Sequence, residues 1–258
     1  MRILPVLMLA LGALPAAAQS RDRWTWTGDV PAGGTLEIRN VNGLVRTERG
    51  GNRVEIVATK RATRGSVDVV EIRVELDGDD VIVCALWPNH SAGSSGCHTD
   101  GMRPRRDNWK VKDQVEVEFL VRVPRTVRFV GSTVNGDVEA RGLGADARIA
   151  TVNGSALVET AGTAEASSVN GDVTARLGRL GDARALKFTS VNGDVRVALP
   201  ADAEFDLDAS TVNGDIQSDF PVTVSGRLRR QQLRGRIGGG GPRLGLTTVN
   251  GGVRVSKS

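Results

Sequence analysis

The chain's only cysteines and histidines, Cys84, His90, Cys97 and His98, crowd into one short stretch. Thiolate and imidazole groups gathered in this way can hold zinc, but their spacing fits no common zinc pattern. In an oxidising compartment two cysteines flanking the loop "ALWPNHSAGSSG" form a disulfide more simply, and closing a loop of that size contributes about 3 kcal/mol. The disulfide Cys84–Cys97 is therefore favoured over a metal site. A second concentration of chemistry is "SGRLRRQQLRGRIGGGG", with Arg227, Arg229, Arg230, Arg234 and Arg236. Guanidinium forks suit phosphate and carboxylate, so these five are candidate anion-binding residues for a surface glycan, a lipid phosphate or a nucleic acid. A solvated basic excursion is the plainer alternative. The glycines that follow form no phosphate loop, since no Lys-Ser/Thr comes after them.

Acids recur as well. Asp137, Asp172, Asp194 and Asp215 occupy equivalent places two residues after an asparagine. Stacked carboxylates repel, by about 0.9 kcal/mol at 4.8 Å even in water, so they should splay into solvent or share a cation. The Gly-Gly-x-Gly-x-Asp pattern of calcium-binding β-rolls is missing, which favours solvated acids. Nucleophilic catalysis would have to recruit His90 or His98 from outside the repeats, and no Gly-x-Ser-x-Gly elbow is present. No catalytic, cofactor-binding or metal-ligating residue is assigned, and no cofactor is expected.

The elements that position these groups are set by a repeat. Val-Asn-Gly occurs seven times, at Asn42, Asn135, Asn153, Asn170, Asn192, Asn213 and Asn250. From Asn135 onward the intervals are 18, 17, 22, 21 and 37, the last reading as two units with a degenerate copy between. A period near twenty signals a stacked architecture. Two residues before the asparagine stands Thr or Ser in six copies; one before is always Val, and one after is always Gly. Alternating apolar residues flank each corner, as in Val138, Val173 and Val195 after it and Phe188 and Leu246 before it, so each unit is strand, corner, strand.

Asn-Gly between alternating runs is also a hairpin signal. A hairpin would set the Val before the asparagine on the solvent side, whereas a solenoid corner lets it swing inward and stack, which favours the solenoid. Stacking at about 4.8 Å would then place Asn135, Asn153, Asn170, Asn192, Asn213 and Asn250 in an amide ladder, with the preceding hydroxyls doing likewise.

The composition agrees with a narrow stack. There is no Tyr, with five Phe and four Trp against 32 Gly, so the core must rest on Val, Leu, Ile and Ala. Before the repeats, strands are expected around 35–39, 53–60, 67–76, 81–87 and 114–123, and the long loop 88–113 carries both histidines, Trp109 and Arg103, Arg105 and Arg106. All four Trp precede residue 110, which suits a cap over the open end of the stack; carbohydrate stacking is the alternative use.

Arg2, the apolar run Ile3–Leu14 and Ala16-Ala17-Ala18 read as a secretory signal cleaved near Ala18/Gln19. No segment is long and apolar enough to span a bilayer. The expected location is periplasmic or secreted. The formal charge of +4, or +3 without Arg2, gives little reason to expect a polyanion as partner, and no nucleic acid is expected. The organisation expected is a signal (1–18), an opening segment (19–34), an N-terminal β region with the disulfide loop (35–123) and the Val-Asn-Gly repeats (124–258), with one continuous domain from 24 to 258.

"GRIGGGGPRLGLTTVNGGVRV", the iterated "TVNGDV" and "GGTLEIRNVNGLVRTERGGNRVEIVATKRAT" resemble the bacterial putative-adhesin family of β-strand-repeat proteins, catalogued mainly as a domain of unknown function. The resemblance runs from about Trp24 to the end. It implies an all-β fold, a right-handed parallel β-helix or β-solenoid, and no catalytic residue to carry over. The function expected is an exported, non-catalytic, adhesin-like structural or interaction module of the cell envelope, with an envelope protein or an anionic glycan as partner. The alternatives are a glycan-active lyase or hydrolase on the same scaffold, and a ligand-sensing component of an envelope stress pathway.

Overall fold

A computed structural model describes residues 20–87, 97, 114–180, 185–224 and 231–258. The secretory signal, His90, His98, Trp109 and Arg227, Arg229 and Arg230 lie outside them. The described chain is all-β apart from one turn of 3-10 helix at Val67–Val69. Its first part supplies β1 (Ser20–Gly28), β2 (Thr35–Arg39), β3 (Val45–Arg49), β4 (Val54–Arg64), β5 (Glu71–Asp77), β6 (Asp80–Leu86) and β7 (Gln114–Val123). The strand expected over 67–76 is thus shorter: a serine-capped turn, with the Ser66 hydroxyl accepting from the Asp68 N–H, takes its first residues. The repeats supply β8 (Arg128–Asn135), β9 (Val138–Leu143), β10 (Ala147–Asn153), β11 (Ala156–Thr160), β12 (Ala164–Ser167), β13 (Val173–Leu177) and β14 (Ala185–Thr189). They continue with β15 (Val195–Leu199), β16 (Phe205–Ser210), β17 (Ile216–Ser218), β18 (Gln232–Ile237), β19 (Arg243–Thr247) and β20 (Val253–Lys257).

The strands form two ten-stranded sheets, ordered β1-β4-β7-β3-β9-β11-β13-β15-β20-β17 and β18-β16-β19-β14-β12-β10-β8-β2-β6-β5. The strand before each asparagine belongs to one sheet and the strand after it to the other. Successive copies pair in parallel, with Ile149 over Gly131 and Val158 over Ala140, for example. The asparagines are themselves paired in parallel across neighbouring rungs. They do not sit at the tips of separate antiparallel ribbons. Antiparallel partners close both sheets at one end, β1 on β4 and β5 on β6, and one sheet at the other, β18 on β16, where the second sheet ends on the parallel β17. Such strands keep the parallel edges they cover from templating aggregation.

The inward side chains of both sheets meet in a single core of small aliphatics. Its bulk comes from a few fully buried rings, Phe119, Phe129, Phe188 and Phe205, the first three with an alanine as register partner on one side. The Phe129 ring also fills the space a side chain at Gly131 would need, 2.8 Å from where its Cβ would stand. Trp24 and Trp26 on the edge strand β1 are half-buried against this core, and Trp87 is buried in it.

Two expectations need correcting. In six of the seven copies the valine before the asparagine does not swing inward: Val134, Val152, Val169, Val191 and Val249 are 37–41% exposed and Val212 is 54% exposed, whereas Val41, before Asn42, is buried in the core. Strand alternation runs unbroken into the corner, and because the Thr or Ser before it is buried, the valine must face out. The long interval between Asn213 and Asn250 holds no degenerate rung among the described residues either. Its strand is the antiparallel β18, and the Asn250 rung is inserted between those of Asn192 and Asn213.

Candidate functional site

The corner column concentrates the repeat's polar side chains; three kinds of bond cross each gap between rungs, and a fourth crosses three of the six gaps. The asparagine side chains form a directional ladder. Asn135 Nδ2 donates to Asn42 Oδ1, Asn153 to Asn135, Asn170 to Asn153, Asn192 to Asn170, Asn250 to Asn192 and Asn213 to Asn250, all at 2.7–2.8 Å. The hydroxyls two residues earlier are buried and do not bond one another. Each donates to the glycine carbonyl of the preceding rung: Thr151 to Gly136 at 2.8 Å, Ser168 to Gly154 at 2.8 Å, Ser190 to Gly171 at 2.8 Å and Thr248 to Gly193 at 2.7 Å. A buried carbonyl left unpaired is costly, which explains the restriction to Thr and Ser. At Asn42, where Asn40 takes this place, its amide reaches Gly43 O and Val117 O instead.

Glycine N–H groups supply the third bond, as from Gly154 to Asn170 O at 2.9 Å. The fourth comes from the acids. Asp137 Oδ1 accepts from the Ser155 N–H, Asp172 from Asp194 and Asp194 from Gly252, at 2.7–2.9 Å. These three carboxylates, still partly exposed, each tie their rung to the next, whereas Asp215 is exposed and makes no such bond among the described residues. Arg196 further joins the stack, bonding Asp172 Oδ2 at 2.7 Å and also Asp194. Among the described residues no three His, Cys, Asp or Glu side chains are placed to hold a metal ion.

The ladder makes a positional prediction. Asn170 belongs to two amide bonds and Asn213 to one, so at about 1 kcal/mol per bond Asn170→Ala should cost about 2 kcal/mol and Asn213→Ala about half that. Urea unfolding of the two variants measures the ratio, and equal losses would mean that the amides do not act as a chain.

The acids make another. Asp172 is held below its ordinary value of 3.8: partial burial, which pushes it up, is outweighed by the Arg196 guanidinium and the Asp194 N–H. A carboxyl depressed by folding stabilises above its unfolded pKa, and that contribution fades as pH falls through the folded one. Asp172→Asn keeps an acceptor for the Asp194 N–H and loses only the charge. The gap in stability between wild type and this variant should be largest at neutral pH and close below pH 3.8. Urea melts at the two pH values check it.

The arginine excursion is only partly described. Arg234 Nε donates to Asp208 Oδ1 at 2.8 Å, Arg236 lies 3.5 Å from Asp206, and Arg243 also bonds Asp208. Partial burial raises the Asp208 pKa, but the two arginines overcome it and hold it low. These side chains line an open groove of about 500 Å³ with Leu207, Thr223 and Gly235. Sequence reasoning misses the carboxylates in this groove as the arginines' partners; the only signal is Asp206 and Asp208 on the outward face of β16.

Cys84 and Cys97 are bonded to each other, with their Cα atoms 6.2 Å apart, and therefore offer no thiolate to a metal. They form a small apolar cluster with Leu86 and Ile82, and the Cys97 N–H donates to the Glu75 carboxylate.

A family model described as Toastrack DUF4097 matches residues 110–256. No curated protein matches the chain. Among solved structures the chain is similar to a putative cell adhesion protein from Clostridium sporogenes, at 10% identity and a TM-score of 0.44, over 93% of this chain and 100% of that one. It is also similar to a putative adhesin from Bacteroides fragilis, at 13% identity and a TM-score of 0.25, over 96% of this chain and 100% of that one. A third, a putative adhesin from Parabacteroides distasonis, has 10% identity and a TM-score of 0.26, over 93% of this chain and 97% of that one.

Proposed function

As the chain belongs to the family described as Toastrack DUF4097, we propose that it is an exported, non-catalytic, adhesin-like β-solenoid that serves as a structural or interaction module of the bacterial cell envelope. In this reading residues 1–18 are its secretory signal, residues 24–258 form one continuous domain with a right-handed parallel coil, and the mature chain works in the periplasm or outside the cell. No helix among the described residues is long and apolar enough to cross a membrane. The observation that carries the reading is the corner column. The asparagines, the hydroxyls and Asp137, Asp172 and Asp194 are engaged in rung-to-rung bonds, which assigns the repeat's polar residues to rigidity and leaves the outer faces to meet a partner.

The partner is an envelope protein or an anionic glycan, with Arg227, Arg229, Arg230, Arg234 and Arg236 as the contact in the second case. Two carboxylates, Asp206 and Asp208, already neutralise part of this charge. The test is capture from envelope extract on the immobilised mature chain, run beside retention on heparin and on lipopolysaccharide. Retention that falls to lower salt when all five arginines become serine supports the glycan. Capture of an envelope protein unaffected by those changes supports the protein. Failure to retain any envelope component, with turnover in a polysaccharide screen, overturns the reading.

A further inference from the structure

Among the Val-Asn-Gly rungs the order in space departs from the order in the chain at one place, and the departure has the form of an insertion. After β15 the chain builds β16, the Asn213 corner and β17, then runs back outside the stack as β18. Only afterwards does it form β19 and β20, which enter the gap already bounded by those earlier strands. β19 pairs with β14 on one side and β16 on the other; β20 pairs with β15 and β17. The corner bonds are made on both faces too. Asn250 Nδ2 reaches Asn192 Oδ1 at 2.7 Å while its Oδ1 accepts from Asn213, and Thr248 reaches Gly193 O while Gly251 O accepts from Thr211.

We propose that the Asn250 rung is an exchangeable insert, so that two copies of this chain assemble by each placing its β19–β20 in the other's gap. All the bonds that hold the insert run to strands far away in sequence, so a second copy's 243–257 reproduces them without a new contact. Only the connector from β18 has to change course. It is Gly238-Gly239-Gly240-Gly241-Pro242, with Gly238 and Gly240 at φ of 60° and 80°, a segment that adopts new backbone angles at little cost. The gap also needs an occupant: among the described residues β17 has no strand neighbour other than β20 in its sheet. A chain that has folded as far as β18 therefore displays a two-sided template, and any β19–β20 within reach completes it. Short flexible connection gives the chain's own segment an effective concentration of roughly millimolar, so the closed monomer dominates in dilute solution and exchange grows with chain concentration. Exchange of an identical element between protomers needs no other adaptation.

The test uses two full-length chains carrying different affinity tags, one with Lys187→Cys and the other with Gly245→Cys. These positions are register partners on β14 and β19, and a Cβ at Gly245 meets only Leu186 O, at 3.5 Å. The chains are unfolded together without reductant at mildly acidic pH, which leaves the Cys84–Cys97 bond in place, then refolded at rising concentration and oxidised. Exchange predicts that each tag retains the other chain, that the co-retained species carries a disulfide joining position 187 of one chain to position 245 of the other, and that its share rises about tenfold over a tenfold concentration range at low occupancy. A single chain carrying both substitutions should close its own bridge and refold only as monomer. Absence of co-retention at every concentration overturns the proposal, as does co-retention that persists undiminished in the doubly substituted chain after its internal bridge has closed before mixing.

Discussion

Gly171→Ala is expected to cost about 4 kcal/mol, the sum of roughly 1–3 for forcing a side chain into packed space and roughly 1–3 for backbone strain. A Cβ at this position would stand 2.0 Å from Gly154 O and 2.5 Å from Gly154 C, backbone atoms that cannot turn aside, and φ is +156°. Relief requires the two rungs to part at the corner. That motion stretches the bonds Asn170–Asn153 and Ser168–Gly154 O together, so the strain has no inexpensive outlet. The same collision recurs at Gly154, Gly193 and Gly251, with distances of 2.1, 2.2 and 2.3 Å to the preceding glycine oxygen. For a domain of this size the loss corresponds to a fall in Tm of about 8–16 °C. Gly51→Ala is the control, since a Cβ there meets nothing within 4 Å, and it should stay within about 0.5 kcal/mol of wild type. Calorimetry of the two variants decides: a Gly171→Ala loss under about 1 kcal/mol would show that the rungs are not held at this spacing.

The invariance of that glycine was legible in the sequence, and so was the unit around it. Strand, corner and strand follow from alternation on both sides of Asn-Gly, and the amide column follows from the recurrence of Asn near every twentieth residue. What the sequence concealed is the partner of each group one rung away. Asp137, Asp172 and Asp194 look like repelling carboxylates when only their own kind is counted as a neighbour. The backbone N–H of Ser155, Asp194 and Gly252, which each accepts, belongs to every sequence and so leaves no trace in composition. The buried hydroxyls are hidden likewise, since their acceptor is a glycine carbonyl. The outward valines are misjudged if a corner is imagined to break the alternation that in fact persists to the asparagine.

The order of rungs was hidden for a different reason. The intervals report how much chain separates two corners, while register demands only that each corner match its neighbours. Asn250 satisfies Asn192 and Asn213 as well as Asn213 alone would satisfy Asn192, so nothing local distinguishes an inserted rung from an appended one. The same interchangeability lets a narrow core function without aromatic bulk. An inward column carries a large ring where a register neighbour on one side is small, as Ala166 is beside Phe188 and Ala147 beside Phe129, and those neighbours lie about twenty residues away.

Phe188→Ala puts that compensation to the test. The ring is fully buried, and its register partners are Ala166 on one side and Leu246 on the other. Truncation removes its transfer energy and leaves a cavity that a two-sheet stack closes poorly, an expected loss of about 3–5 kcal/mol. Ala166→Leu alone overfills the column against the ring, at about 1–3 kcal/mol. Combined, the two changes should not add: the leucine at 166 points into the column the ring has vacated, only about 4.8 Å along the stack. The double variant is expected to be more stable than Phe188→Ala by about 1–2 kcal/mol, so that one substitution destabilises the wild type and stabilises its truncated form. Urea unfolding of all four proteins of the cycle measures the coupling. Simple additivity would mean that Ala166 and Phe188 do not share a column, and with it the parallel register of β12 on β14 would fall.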